Sequence, residues 1–575
     1  MACLVLIGVC AHADAPTNPT YDALGPIEKQ VVDRTLKDAG LELVANPSGK
    51  RVGAIRVKNH EVFSDDEWKW LTWFNLFHRT TRDDIVAREV LLQPGELWDP
   101  KRVDETVRNL RSPVHTSVVV VLPVRAPETK DGEVDVLVVT RDVWSLRLNT
   151  NFQFQQDTLT VLQISLAENN LAGWRKLLSF AFAMDQGTIA FGPRYRDPNI
   201  AGTHLVLDTS FNTIFARDGS GFEGTSSKTT FSYPLWSLSQ KWGASLEVTH
   251  FDGTARLYRG TGVASYDVPE TVTRERLPWQ YHWRIVDVIA NVVRSYGREV
   301  KLDVHAGYEF YLTRPELSAD FEGDTVARQA FSDDILPRSE RSSLLYTRFH
   351  VYTPTYGTYR DFGTFDLRED FILGPDLDLV FNTAMQWLGS EANYLKATLD
   401  LSWSFDFGRE SYLKLALGWR GRVDRTGLAD HRVVGSLYAV SPKLWNVFRV
   451  FLTCDIQTRL AEQSNGFYLL GGDTGLRGYE IGAFKGLVSV LTHLELRTMP
   501  LKLWFWRLGG VVFWDMGHAA DRFGDLVMHH DLGVGIRWLT PQINTLVFRF
   551  DWAFATQGST AGWPGRISFG FQQAF

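Results

Sequence analysis

The chain is short of three things: cysteine, long apolar runs and positive charge. Of its 575 residues three are cysteine, and two of these, Cys3 and Cys10, fall in the first ten positions. Cys454 is left alone, which excludes a disulfide framework and a Cys-based metal site. So low a count suits a chain exported through an oxidising compartment. Beyond the N-terminus no apolar run is long enough for a membrane helix. A net charge of -7 argues against a nucleic-acid-binding surface. Catalytic signatures are missing as well, with no G-x-S-x-G, H-E-x-x-H or Walker-type loop. Gly219 to Gly224 matches G-x-G-x-x-G, but it lies between strand patterns with no helix after it and reads as a loop. His529-His530 has no further ligand at metal-binding spacing and reads as a turn. Asp65-Asp66-Glu67, close to Trp68, Trp70 and Trp73, reads as a solvated helix start whose aromatics could touch a membrane surface. No catalytic residue, metal site or cofactor is expected, and the chain reads as a non-enzyme.

What the chain has in excess is aromatic residues: 36 Phe, 20 Trp and 18 Tyr. Its length is too great for one ordinary core, so at least two units are expected. Ala2 to Ala11 is apolar and Ala11-His12-Ala13 has the small-x-small pattern of a cleavage site. Residues 1–13 are therefore expected to be a signal peptide, although no Lys or Arg precedes the apolar run. Val9 is bulky where a lipid-anchored Cys10 would want a small neighbour.

Residues 14–45 read as a linker and a helix, with Ile27, Val31, Val32, Leu36 and Ala39 at helical spacing and Gly40 as the stop. Residues 46–141 read as a small mixed unit. Val52, Ile55 and Val57 mark a strand, Thr81 to Leu92 a helix ended by Pro94-Gly95, and Asp99-Pro100 the start of a second helix. Two strands, Ser117 to Val124 and Val134 to Thr140, meet at an Asp131-Gly132 turn.

From Asp142 to the end helical patterns vanish and period-two alternation takes over. Leu302, Val304, Ala306, Tyr308, Phe310 and Leu312 alternate with Asp303, His305 and Glu309 among others. The same holds for Leu399 to Phe407 and for Leu546 to Phe554, where Arg549 and Asp551 take the polar face. Segments of about ten residues cross a bilayer at a tilt. Tyr394, Trp403, Trp419 and Trp538, near segment ends, fit an interfacial belt. A closed wall also leaves no sheet edge unpaired in lipid. Residues 142–575 are expected to form a transmembrane antiparallel β-barrel, with 252–280 and 313–343 as its longest outer loops.

One segment stands apart. Gly471-Gly472-Asp473-Thr474-Gly475-Leu476-Arg477-Gly478-Tyr479 packs glycines around one Arg, a charged fork suited to docking on carboxylates. Downstream, Leu494-Glu495-Leu496-Arg497 puts Glu495 on the face opposite Leu494 and Leu496, and Phe513-Trp514-Asp515-Met516-Gly517 follows. The chain closes on Ile567, Phe569, Phe571 and Phe575, on one face of a strand, with Gln573 breaking the alternation.

These segments resemble those of the BamA/TamA-like outer-membrane assembly and secretion superfamily, in which a POTRA module precedes a surface-antigen-type barrel. The 46–141 order, with Glu89-Val90-Leu91-Leu92-Gln93-Pro94-Gly95-Glu96, resembles one POTRA domain. Glu168 to Gly173 and Arg194 to Asn199 resemble early turns of such barrels. The last strand resembles the C-terminal β-signal. The resemblance implies a barrel of about 16 strands, so that surplus strand patterns would be loop hairpins. It implies that Gly471, Gly472, Leu476, Arg477, Gly478 and Tyr479 form a loop folded into the lumen, and that Arg477 docks on Glu495 and Asp515. It also implies insertion or translocation of client polypeptides at the bacterial outer membrane. The POTRA-like domain would lie in the periplasm, either adding client strands to its sheet edge or acting as a spacer. Partners would be outer-membrane lipid, client outer-membrane or secreted polypeptides, and periplasmic chaperones or lipoproteins, with no nucleic acid. The alternatives are a passive or structural barrel without assembly activity and a dedicated two-partner-type secretion pore.

Overall fold

The computed structural model describes residues 18–63, 73, 75, 78–112, 114–155, 158–259, 262–268, 276–317, 324–472, 475–541, 546–558, 562–571 and 573. The signal-peptide segment 1–13, Asp65 to Trp70, Asp473, Thr474 and Phe575 lie outside them. Chain contacts divide the molecule into two units, 1–143 with 172–174, and 144–171 with 175–575.

In the first unit α1 (Pro19–Asp22) and α2 (Pro26–Ala39) come first. Glu28 caps the α2 start, and Gly40 ends the helix in the left-handed region at φ 61°. Then follow β1 (Glu42–Leu43), β2 (Arg51–His60), α3 (Asp83–Ala87), α4 (Pro100–Leu110), β3 (Thr116–Arg125) and β4 (Glu133–Asp142). The sheet order is β1-β3-β4-β2, with β2 parallel to β4. Both faces are covered. Val118, Val120, Leu122 and Val139 meet Val31 and Val32 of α2, while Val119, Val121, Val136 and Val138 meet Val86, Val103 and Leu110. Two sequence expectations need correction here. α2 belongs to this unit rather than to a linker, because its apolar stripe is buried on the sheet. The helix expected over 81–92 is five residues long, since the chain leaves it to bury Leu92, and the Leu91 N–H goes to Thr106 Oγ1 at 3.0 Å.

The second unit is a closed antiparallel β-barrel. Its wall begins with β5 (Leu146–Gln155), β6 (Thr158–Glu168), β7 (Leu177–Met184), β8 (Thr188–Asp197), β9 (Val206–Ala216), β10 (Phe222–Tyr233) and β11 (Trp242–Arg256). Small hairpins β12 (Tyr258–Arg259) with β13 (Gly262–Val263), and β14 (Ser265–Asp267) with β15 (Arg276–Pro278), fill the next connection. The wall resumes with β16 (Gln280–Tyr296), β17 (Lys301–Glu316), β18 (Glu340–Tyr352), β19 (Thr355–Arg360), β20 (Arg368–Ala384), β21 (Tyr394–Asp406), β22 (Tyr412–Asp424), β23 (Gly427–Val440) and β24 (Phe448–Leu460). Between β17 and β18 stands α5 (Thr325–Asp334). After the short pair β25 (Tyr468–Leu470) and β26 (Phe484–Gly486) come β27 (Val488–Thr498), β28 (Leu501–Leu503), β29 (Trp506–Ala520), β30 (His529–Leu539), β31 (Phe548–Ala555) and β32 (Arg566–Phe571). β32 returns to β5, with Ser568 opposite Gln153.

β19 continues β18 along β20, and β28 continues β27 along β29, so the wall has twenty strands. The 16-strand expectation is corrected: the surplus alternating segments are wall strands and not loop hairpins. The outer loops are also shorter than expected, 257–279 and 317–339, because β11, β17 and β18 run into the predicted spans. α5, which no pattern predicted, buries Phe331 and Ala327 against Tyr266, Val268 and Leu277.

The burial pattern is inverted relative to a soluble core. On β30, Leu532, Val534, Ile536 and Trp538 are 41–57% exposed, while Asp531 and Arg537, on the alternate positions, are buried. Apolar outside and charged inside is the arrangement a strand wall needs in lipid. Tyr394 departs from its expected place in an aromatic belt: it is buried, and its hydroxyl donates to Glu340 and lies 2.6 Å from the Ser342 hydroxyl inside. Among the described residues no helix is long and apolar enough to cross a membrane.

Candidate functional site

β25 and β26 form the neck of a loop that enters the barrel from the end opposite the start of β5. Tyr468 pairs with Gly486 and Leu470 with Phe484. At its tip Gly471 and Gly472 take φ values of 118° and 82°, turning the chain back on itself. Leu476 and Tyr479 pack with Leu491, Ala519 and Ala555 of the wall. Gly478 is required by proximity instead. A Cβ there would sit 2.7 Å from both Ala555 N and Asp531 Cβ, and its N–H donates to Asp531 Oδ2 at 2.9 Å.

This close approach delivers Arg477 to a row of wall carboxylates. Its Nε and Nη2 donate to Asp515 Oδ2 and Oδ1 at 2.7 and 2.8 Å, a bidentate pair. Nη1 donates to Glu495 Oε1 at 2.7 Å and to Asp551 Oδ2 at 3.1 Å. The guanidinium carbon lies 3.4 Å from the centre of the Phe513 ring. The three acids are fully buried and Arg477 is 1% exposed. Each acid is on an inward position of its own strand, β27, β29 or β31. The ring of Phe513 fits because β30 has Gly533 opposite it, where a Cβ would fall 2.1 Å from the ring.

A second layer completes the neutralisation. Arg497 Nε donates to Glu495 Oε2 at 2.6 Å, Arg537 Nη1 to Asp551 Oδ1 at 2.5 Å, and Arg549 Nη1 to Asp551 Oδ2 at 3.3 Å. His493 Nδ1 lies 2.8 Å from Asp515 Oδ1. The loop backbone is held from the closing strand, where Arg566 donates to the carbonyls of Arg477 and Tyr479. Arg537 Nε donates to Gln573 Oε1 at 3.0 Å, so the Gln that breaks the terminal alternation serves as a polar partner. Buried ion pairs are strongly destabilising to break, because the remaining charge is stranded.

A second segment enters from the other end of the barrel. The β19–β20 hairpin folds its turn inward, burying Phe362 against Tyr359, Tyr412, Val440 and Phe451, and Phe365 against Leu539 and Val547. Arg507 pairs with Asp366 and Lys443 Nζ with Asp361 Oδ2 at 3.3 Å. Arg497, already on Glu495, also donates Nη1 to the Phe362 carbonyl at 3.1 Å. One arginine therefore touches both inward segments' supports.

Sequence reasoning placed Gly471, Gly472, Leu476, Arg477, Gly478 and Tyr479 in one loop and named Glu495 and Asp515 as partners; the structure brings these residues together. It missed Asp551, Asp531, Arg497, Arg537, His493 and Phe513. Their signal was the inward parity of the alternating strands, which Asp551 and Arg497 already displayed. It also missed the 361–367 turn. Of the terminal residues, Ile567 and Phe569 face outward between buried Ser568 and Gly570; Phe571 pairs through its backbone with Phe548. Gly219 to Gly224 lies in the β9–β10 connection and the start of β10. His529-His530 opens β30 rather than forming a turn. No cluster of potential metal ligands occurs among the described residues.

No family model matches the sequence, and no curated protein matches it. Among solved structures the chain is similar to BamA from Haemophilus ducreyi lacking POTRA domains 1-3, at 12% identity and a TM-score of 0.33, covering 96% of this chain and 93% of that one. CdiB from Escherichia coli is 12% identical with a TM-score of 0.42, over 96% and 84% of the two chains. Pseudomonas aeruginosa OpdQ is 10% identical with a TM-score of 0.30, over 74% and 93%. At these scores the likenesses carry no weight of their own, and the chain is characterised by its own geometry: a twenty-strand antiparallel β-barrel whose 468–486 loop is latched to the inner wall through Arg477.

Proposed function

We propose that this protein is a bacterial outer-membrane barrel of the BamA/TamA-like kind, acting in insertion or translocation of other polypeptides, with the first unit, which holds residues 46–141 together with α2 and β1, as a POTRA-like periplasmic module. The observation that carries this reading is the Arg477 loop. A glycine-rich segment is drawn into the lumen and fixed by one guanidinium to acids on three strands, next to the strand that closes the wall. Arg566 of β32 grips the same loop, so the loop and the β32–β5 seam share one mechanical support. A seam that can open offers backbone donors and acceptors to an incoming strand, and the loop is placed to set how firmly it stays shut. Depleting the protein and quantifying outer-membrane and secreted polypeptides tests the role. Unchanged levels of all of them would sink it.

A second reading is a passive channel. It is favoured by the width of a twenty-strand wall and by charged residues on inward positions of β20 to β24. Conductance of the purified protein in planar bilayers, with the outer-membrane proteome unaffected by depletion, would select it.

A further inference from the structure

Three arginines stand on one rung of the inner wall, away from the Arg477 latch. Arg420 of β22 is directly opposite Arg432 of β23, which is directly opposite Arg459 of β24. Adjacent strands are about 4.8 Å apart, and like charges placed opposite each other are destabilising. Such a row needs either a negative partner or a solvated face, and Arg420 and Arg432 are exposed to the lumen, with their donors open to solvent or a ligand. For Arg459 the negative partner is Glu462 Oε2, at 2.8 Å. Arg420 and Arg432 make no ion pair: among the described residues no carboxylate lies within 4 Å of either and neither donates a hydrogen bond, and Glu462 acts on Arg432 only from a longer distance. They line a cavity of about 430 Å³, together with Lys414 and the neutral polar groups Ser436, Gln457 and Tyr468. Tyr468 belongs to the neck of the inward loop, so the cavity is bounded by wall on one side and loop on the other. Two acids share the cavity. Asp376 is engaged by His350 at 3.1 Å, and Asp400 is one rung away from Arg420 without reaching it. The unmet charge at the Arg420–Arg432 rung is thus positive.

We propose that the Arg420–Arg432 rung is a binding site, inside the barrel, for an anionic solute bearing a carboxylate or phosphate group. Two forks side by side match the paired oxygens of such a group bidentately. Lys414 adds charge without directionality, and the hydroxyl and amide groups can satisfy the remaining oxygens. The site is independent of the assembly role, since it needs only a lumen reached by solute.

The test is calorimetric titration of the folded, detergent-solubilised full chain with sodium pyrophosphate and, separately, sodium succinate. Binding is expected to weaken as salt rises. The Arg420→Gln/Arg432→Gln double variant is expected to bind at least about tenfold more weakly, the loss typical of one charge-assisted hydrogen bond. Asp400→Asn, which removes a negative charge from the same cavity, is expected to bind more tightly and keeps the test informative if the double variant does not fold. Heat-modifiability on gels verifies folding of each. Binding of pyrophosphate alone assigns a phosphate ligand, and binding of both or of succinate alone assigns a carboxylate-competent one. No binding of either anion, equal binding by the double variant, or weaker binding by Asp400→Asn overturns the proposal.

Discussion

The Arg477 guanidinium lies over Phe513, its carbon 3.4 Å from the ring centre, while its N–H groups are taken by carboxylates. Face and rim of the cation are thus both satisfied. A cation over a desolvated aromatic face contributes about 2 kcal/mol, so Phe513→Leu is expected to lower barrel stability by roughly 1–2 kcal/mol. Urea unfolding from detergent, followed by tryptophan fluorescence, checks it; an unchanged midpoint would remove the ring from the latch.

Arg477→Ala strands buried Asp515, Glu495 and Asp551, and breaking a buried pair this way costs about 3–5 kcal/mol. Arg477→Lys is expected to recover only part of that, because an ammonium cannot serve Asp515 bidentately and reach Glu495 as well. Asp515→Asn should resemble the Ala variant more than the Lys one. Heat-modifiability and denaturant midpoints rank the three.

Gly478→Ala leaves every charge in place but puts a methyl 2.7 Å from Ala555 N. Overpacking of this kind costs about 1–3 kcal/mol, and its expected result is a loop displaced from the wall. Protease accessibility of 471–483 should rise in this variant. Equal protection would show that the loop tolerates the extra atom.

Arg497→Ala removes the shared support of the two inward segments. Cleavage within 361–367 and within 471–483 by added protease is expected to increase together, whereas Asp366→Asn, which loosens only the hairpin's pairing with Arg507, should affect the first alone. Independent responses to Arg497→Ala would separate the two segments.

In the first unit, burial beside Lys58, Arg34 and Arg141 lowers the pKa of His60, whose Nε2 lies 2.7 Å from Thr35 Oγ1; Asp38 opposes weakly. The neutral ring is the one favoured in the fold. Between the folded and unfolded pKa values the unfolded chain binds more protons, so this contribution is complete above about pH 6.5 and fades as pH falls below it. Titration of the His60 ring by NMR should give a value below the usual imidazole range, and Arg34→Gln should raise it.

The sequence by itself determined that residues past 142 form alternating strands, and which residues face inward, because period two is set by the backbone of each strand alone. It also marked Arg477 as a docking cation and, through resemblance, Glu495 and Asp515 as its acids. Tertiary structure alone decided the strand number, since alternation records a face but not a neighbour, and a strand pattern looks the same in a wall and in a loop hairpin. For that reason β19 gave no sign that its hairpin turn would fold inward, and α5 gave none that a short helix would find an apolar cover in the 257–279 loop. Asp551 and Arg537 were legible as inward residues but not as members of the latch. What joins them to Arg477 is the closing of β27 to β31 side by side, which brings charges 74 and 60 positions apart in the chain from that arginine into one buried network.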